Sequence, residues 1–273
     1  MKTAAAGAQA LPRSALPRAQ AAIRAIALNT FREAIRDRVL YLLLVFALAL
    51  IALSRLLSLL TVGNEEKIIK DVGLSAISLF GVLTSVFVGV SLVFKEIERR
   101  TVYTLLANPV RRWQFVTGKF VGLLAVLAMN LSLMSLALFG ILWLRGESTW
   151  ALLPGLVLIL VELAVITAFA LLFSSITNPI LAALMTFAMY VMGHLSWSLM
   201  LLKAKLGSSA SALACDLVYW VMPNLQRLDI KAAVVHGLPL APGQFFFALT
   251  YGSCYALVVL ALACLAFERK DFN

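Results

Sequence analysis

The chain has 273 residues, 62% of them hydrophobic and 13% charged, with a formal net charge of +10. Mean hydropathy is +0.97, and several uninterrupted apolar runs reach about 20 residues, the length that crosses about 30 Å of hydrocarbon. These values exclude a soluble globular enzyme. They also exclude a nucleic-acid partner, because the basic residues sit at the ends of apolar runs, where anionic lipid and the positive-inside rule account for them.

An all-α, polytopic fold follows: six transmembrane helices, an N-terminal interfacial helix and a charged helix between the second and third spans. Residues 1–19 are rich in Ala, Pro and Arg and lack the apolar stretch of about 7–15 residues that marks a signal peptide, so a disordered cytoplasmic start is expected. Residues 20–273 then form a single six-span domain. From Arg18 to Arg38 a stripe of Ile23, Ile26, Ala27, Phe31, Ala34 and Ile35 opposes Arg24, Arg32, Glu33, Arg36 and Asp37, the pattern of a helix lying in the interface.

The spacing predicts spans at 39–60, 72–94, 120–144, 151–174, 180–202 and 244–267, with Asn178 and Pro179 breaking the run between the fourth and fifth. A short acidic connection (Glu65, Glu66, Asp71) precedes the second span. The mixed stretch 203–243, with Lys203, Lys205, Asp216, Arg227, Asp229 and Lys231 among apolar residues, suits short helices lying at the interface. Fifteen Lys and Arg fall on the side of the termini and eight on the other, which puts both termini in the cytoplasm.

Between the second and third spans, Phe94, Ile97, Thr101, Val102, Leu105 and Leu106 recur on one side of a predicted helix, and Glu96, Arg99, Arg100 and Tyr103 on the other. Pro109 disfavours helix at Asn108 and ends it there. By spacing alone this is either a docking surface or a solvated helix resting on the membrane.

No enzyme constellation appears, and no catalytic residue is assigned. Gly118-Lys119 lacks the remainder of a Walker loop, and HExxH and GxSxG are absent. The chain is not expected to be an enzyme, to hold a metal or to carry a cofactor; any ATP and Mg must be bound by a partner. Cys215, Cys254 and Cys264 have no metal or disulfide spacing. Glu162, in the fourth span, costs about 2.5–3.5 kcal/mol as an ionised group on insertion scales, so it is protonated, paired or facing a wet path. Glu162 and His194 are therefore candidates for a translocation path or for interhelical hydrogen bonds. Met185, Met189 and Met192 share a face that reads as packing, with Cu(I) handling as the alternative.

The run EIERRTVYTLLANPVRRWQFVTGKFVG resembles the corresponding segment of type-2 ABC exporter permeases, particularly the short six-span bacterial subunits that include the nitrous-oxide-reductase maturation permease. Glu98, Thr101, Leu105, Leu106, Pro109, Arg112, Gly118 and Lys119 match that pattern; Arg100 stands where many relatives have Gly. SSITNPILAAL and PNLQRLDIK resemble the same branch. The resemblance implies a coupling helix at 95–108 docked on a separate ATP-binding subunit, with Glu96, Glu98, Arg99, Arg100, Thr101 and Tyr103 facing that ATPase. Ile97, Val102, Leu105, Leu106 and Pro109 would hold the helix against its own bundle. It further implies a second permease chain, an amphipathic elbow before the first span, contact with membrane lipids, and residence in a bacterial inner membrane. Two other readings stand beside it: a non-transporting anchor or assembly factor docking a partner through 95–119, and an intramembrane enzyme built round Glu162 and His194.

Overall fold

The computed structural model describes residues 19–58, 64–98, 111–205, 222–239 and 242–269. Among these are eight α-helices and no strand: α1 (Ala19–Ile35), α2 (Arg38–Ser58), α3 (Glu65–Glu98), α4 (Arg112–Trp143), α5 (Leu153–Ile176), α6 (Pro179–Lys205), α7 (Lys231–Val235) and α8 (Pro242–Arg269). Short 3-10 turns lie at Trp150–Leu152 and Leu225–Arg227. Six helices, α2 to α6 and α8, are long and apolar enough to cross a membrane. The chain is an all-α, polytopic membrane protein.

Local chemistry sets where several of these helices start. Asp37 Oδ1 accepts from the Val39 N–H at 3.0 Å and caps α2, and Asn178 Oδ1 accepts from the Leu181 N–H at 2.9 Å ahead of Pro179, the first residue of α6. At α4, Gln114 Oε1 reaches back to the Arg111 N–H at 3.1 Å.

Two helices outrun their hydropathy. α3 begins at Glu65 and not at 72, because Glu65 and Glu66 occupy its first turn, where the helix dipole favours acids, and Glu66 pairs with Lys70 one turn on. The acidic connection is thus already helix. Likewise α4 begins eight residues before the expected 120. Hydropathy marks the part of a helix that lies in hydrocarbon, not the part that is hydrogen-bonded as helix.

The bundle is built round α5, which touches α3, α4, α6 and α8. Apolar residues surround it on every side, as a helix without a solvent face requires, and Leu158, Ile166, Ala168 and Ala170 are fully buried. Small hydroxyls join the interior: Ser85 and Thr167 meet at 2.9 Å between α3 and α5, and Asn130 Nδ2 donates to Thr84 Oγ1 at 3.4 Å between α4 and α3. Such bonds contribute about 0.6 kcal/mol on average within membranes.

Polar ties close both ends. On the side of the termini, Arg112 Nη1 donates to the Glu268 carbonyl at 2.8 Å and the Phe267 carbonyl at 3.3 Å, a cation at the C-terminus of α8. Phe115 stacks on Phe267 at 5.5 Å. On the far side, Arg145 donates to Glu65 and, at 3.2 Å, to Ser58 Oγ, gathering the ends of α2, α3 and α4. Trp143 and Trp150 stand exposed at that end, as interfacial aromatics do.

The N-terminal helix packs along α4. Its buried line is Ala22, Thr30 and Ala34, with Ile26 and Phe31 against the core; the expected stripe is largely reproduced, but Thr30 joins it because its small side chain fits the contact. The approach is close at Gly122, where a Cβ would lie 2.7 Å from the Ala27 carbonyl oxygen and 2.7 Å from Thr30 Cβ. Gly122→Ala is therefore expected to destabilise the protein by about 1–3 kcal/mol, the range for overpacking. Gly140→Ala in the same helix, with nothing within 4 Å of the new Cβ, is expected to cost nothing. Thermal unfolding of the two variants in detergent makes the comparison, and an equal fall in both would refute the close-contact account of α1.

Candidate functional site: a polar cluster beneath a re-entrant segment

Of the mixed stretch 203–243, expected as short helices at the interface, residues 206–221 lie outside the described residues, and residues 222–238 pack into the bundle. They enter the bundle from the far side and present Pro223, Leu225, Leu228, Val234 and Val235 to it, all buried. Leu225 seats on Gly193 of α6, where a Cβ would stand 2.7 Å from the leucine Cγ and 2.9 Å from the Pro223 carbonyl oxygen. Leu228 rests against Gly252 of α8, and Val234 faces Gly155 of α5. Glycine at Gly193 and Gly252 is thus what leaves room for the segment. Above it, Tyr251 accepts from the Asn224 N–H at 2.9 Å, and the Arg227 guanidinium lies over the rings of Phe247 and Tyr251 at 5.7 and 5.6 Å.

Beneath the segment lies a set of polar side chains from four elements. Glu162 of α5 is 1% exposed and stands nine residues beyond Leu153, about 14 Å into the helix at about 1.5 Å per residue. Its Oε1 lies 3.4 Å from His194 Nε2 of α6. His194 Nδ1 is 3.3 Å from the Tyr190 carbonyl, and the two rings are 4.6 Å apart. Lys231 Nζ, from the re-entrant segment, donates to Ser78 Oγ of α3 at 3.3 Å and pairs with Asp229 at 3.5 Å. Asp229 Oδ1 also accepts from the Lys231 N–H at 3.2 Å, which starts α7.

The two intramembrane polar residues read separately from the sequence therefore face each other. Sequence reasoning missed Ser78, Tyr190, Asp229 and Lys231. One signal was present: Leu225, Leu228, Val234 and Val235 flank Asp229 and Lys231 with the spacing of a buried face, which a surface helix would not need. Among the described residues, no group of three metal-ligating side chains is present. Of the Met face, Met189 is 8% exposed and packs in the core, and Met192 packs against it, whereas Met185 points outward.

The charged stretch after the second span is described only at its edges. Backbone helix continues through Glu98 without a break from α3, so residues 95–98, expected to open a separate helix, prolong the span. The side chains of Glu96, Ile97 and Glu98 lie outside the described residues, as do Arg99, Arg100, Thr101, Val102, Tyr103, Leu105, Leu106 and Pro109. The matched residues on the far edge are described. Arg112 caps α8, and Gly118 lets α1 cross, since a Cβ there would be 2.8 Å from Ile26 Cβ. Lys119 is buried, with its Nζ 5.8 Å from the Phe115 ring centroid.

A bundle of six spans with a helix laid along its third and a segment re-entering between the fifth and sixth defines a multi-pass membrane protein with no soluble domain among its described residues. The family model described as ABC-2 family transporter protein matches residues 24–272, and the chain belongs to that family. It is a membrane component of an ABC transporter, and the family implies an ABC ATPase as partner. No curated protein matches the chain.

Truncating the anchor of the re-entrant segment should act locally. Leu225→Ala, at a fully buried side chain, is expected to destabilise by about 2–5 kcal/mol and to raise amide exchange in 222–238 while α3 to α5 keep their protection. Uniform loss of protection across the bundle would show that the segment is not a separate unit.

Proposed function

We propose that the protein is the permease subunit of an ATP-driven exporter of the bacterial inner membrane, working as a dimer with a separate ATP-binding subunit and with both termini cytoplasmic. The observation that supports this reading most directly is the family match over residues 24–272, nearly the whole chain, including the charged stretch between α3 and α4. Fifteen of the basic residues on the side of the termini agree with a cytoplasmic placement.

In this reading, residues 95–108 form the coupling segment, its first four residues prolonging α3. Glu96, Glu98, Arg99, Arg100, Thr101 and Tyr103 meet the ATPase; Ile97, Val102, Leu105, Leu106 and Pro109 face the bundle. Because Glu98 ends a helix that starts at Glu65, a pull on the docking residues acts on one continuous rod about 50 Å long, at about 1.5 Å per residue. ATP and Mg are held by the partner, whose closure moves α3 against α5. The likeness to the short six-span branch, with its Glu-Arg-Arg-Thr variant, belongs to the same proposal.

Reversing both charges in Arg99→Glu/Arg100→Glu should abolish co-purification of the partner ATPase and reduce ATP hydrolysis by the reconstituted complex by about 10-fold or more, the loss of about 1.4 kcal/mol or more of docking energy. Retention of both would overturn the docking assignment. Retained ATPase binding with hydrolysis that never responds to the permease would favour a non-transporting anchor.

A further inference from the structure

We propose that Glu162 and His194 form a proton-binding site inside the bundle, and that its occupancy sets how tightly residues 222–238 are held through Lys231. The argument starts from donors and acceptors. His194 Nδ1 faces the Tyr190 carbonyl at 3.3 Å, and a carbonyl only accepts, so Nδ1 carries a hydrogen. In the neutral ring Nε2 is then a lone pair, directed at Glu162 Oε1 at 3.4 Å. An ionised carboxylate also only accepts. Two acceptors face each other at that distance unless one proton joins them, either as a carboxylic acid donating to Nε2 or as an imidazolium donating to the carboxylate. Neither Glu162 Oε1 nor His194 Nε2 has another hydrogen-bond partner.

With the proton, the pair is neutral. Without it, one negative charge is left on a side chain that is 1% exposed, in surroundings where an uncompensated charge is costly. The ionisable groups that could respond are few. α3 has none between Asp71 and Lys95, α4 none between Lys119 and Arg145, and α8 only tyrosines and cysteines before Glu268. α6 contributes Tyr190 besides His194, with Lys203 and Lys205 in its last turn. The charges that bear on Glu162 are Lys231 and Asp229, both on the re-entrant segment.

Lys231 is the cation that bears on Glu162, and it is shared with Asp229 at 3.5 Å and Ser78 at 3.3 Å. Loss of the proton draws its ammonium toward Glu162 and tightens the segment on the bundle. Gain of the proton leaves Lys231 to Asp229 and Ser78 and loosens it. His194, whose side chain is 23% exposed against 1% for Glu162, is the more accessible member of the pair and the one through which a proton would enter. The site stands whether or not the chain exports anything, because it depends only on the geometry of α3, α5, α6 and the segment.

The test uses the full-length protein in lipid nanodiscs, with Cys215, Cys254 and Cys264 replaced by Ser and a spin label on Ala232→Cys, an exposed position of α7. Lowering the pH from about 8.5 to about 5.5 should raise the mobile fraction of the label about twofold or more in a single titration. Glu162→Gln and His194→Asn should each remove that dependence. Lys231→Met should remove the response of the label while the infrared carboxyl band of Glu162, identified by its loss in Glu162→Gln, persists and still titrates, with its midpoint displaced because the two groups are linked. A label that ignores pH in the parent protein, or follows it equally in Glu162→Gln, His194→Asn or Lys231→Met, overturns the proposal. Should Glu162→Gln fail to fold, the His194→Asn and Lys231→Met arms decide it.

Discussion

The confinement of α5 among α3, α4, α6 and α8 is the constraint to which the rest of the molecule answers. A helix packed among four neighbours offers no water-facing stripe to hold a charge, so a buried polar group on it needs a partner, either in its own preceding turn, as for Ser174 and Ser175, or on a neighbour. Thr167 finds Ser85 on α3. Glu162 finds His194 on α6, and the register of α6 against α5 is bound up with that pairing. The segment 222–238 then lies over the pair, its own charges Asp229 and Lys231 matched to each other and to Ser78. Replacing Glu162 by an apolar residue would remove the reason for much of this arrangement.

α3 connects the two functional regions. At one end it runs unbroken into the charged stretch at Glu98; some twenty residues earlier it presents Ser78 to Lys231. A helix is stiff along its axis, so displacement at one end reaches the other with little loss. In the proposed transporter this places the docking side chains and the re-entrant segment on the same rod. The proton site would then be a second control near the middle of that rod, set by proton activity and not by nucleotide.

The motif between the second and third spans has structural reasons that do not depend on any partner. Gly118 and Gly122 let α1 lie close on α4. Arg112 caps α8, and Phe115 stacks on its last turn. The stretch joins the N-terminal helix, the third span and the last span at one end of the bundle, which is a firm base for a segment expected to bear force.

Six spans, their order and the amphipathic helix ahead of them were legible in the sequence, because a bilayer demands about 20 apolar residues per crossing and composition alone reveals them. The Asn178-Pro179 break was legible for a local reason, a cap followed by a residue that favours the first helical turn. Helix ends were less so: Glu65 and Arg112 are charged, and charge conceals helix that extends beyond the hydrocarbon. The pairing of Glu162 with His194, thirty-two positions apart, and the docking of Lys231 on Ser78, much farther along the chain, were decided only by the tertiary structure. No local spacing relates such residues; what brings them together is the packing of α5, α6 and α3 and the glycines that let 222–238 descend between them.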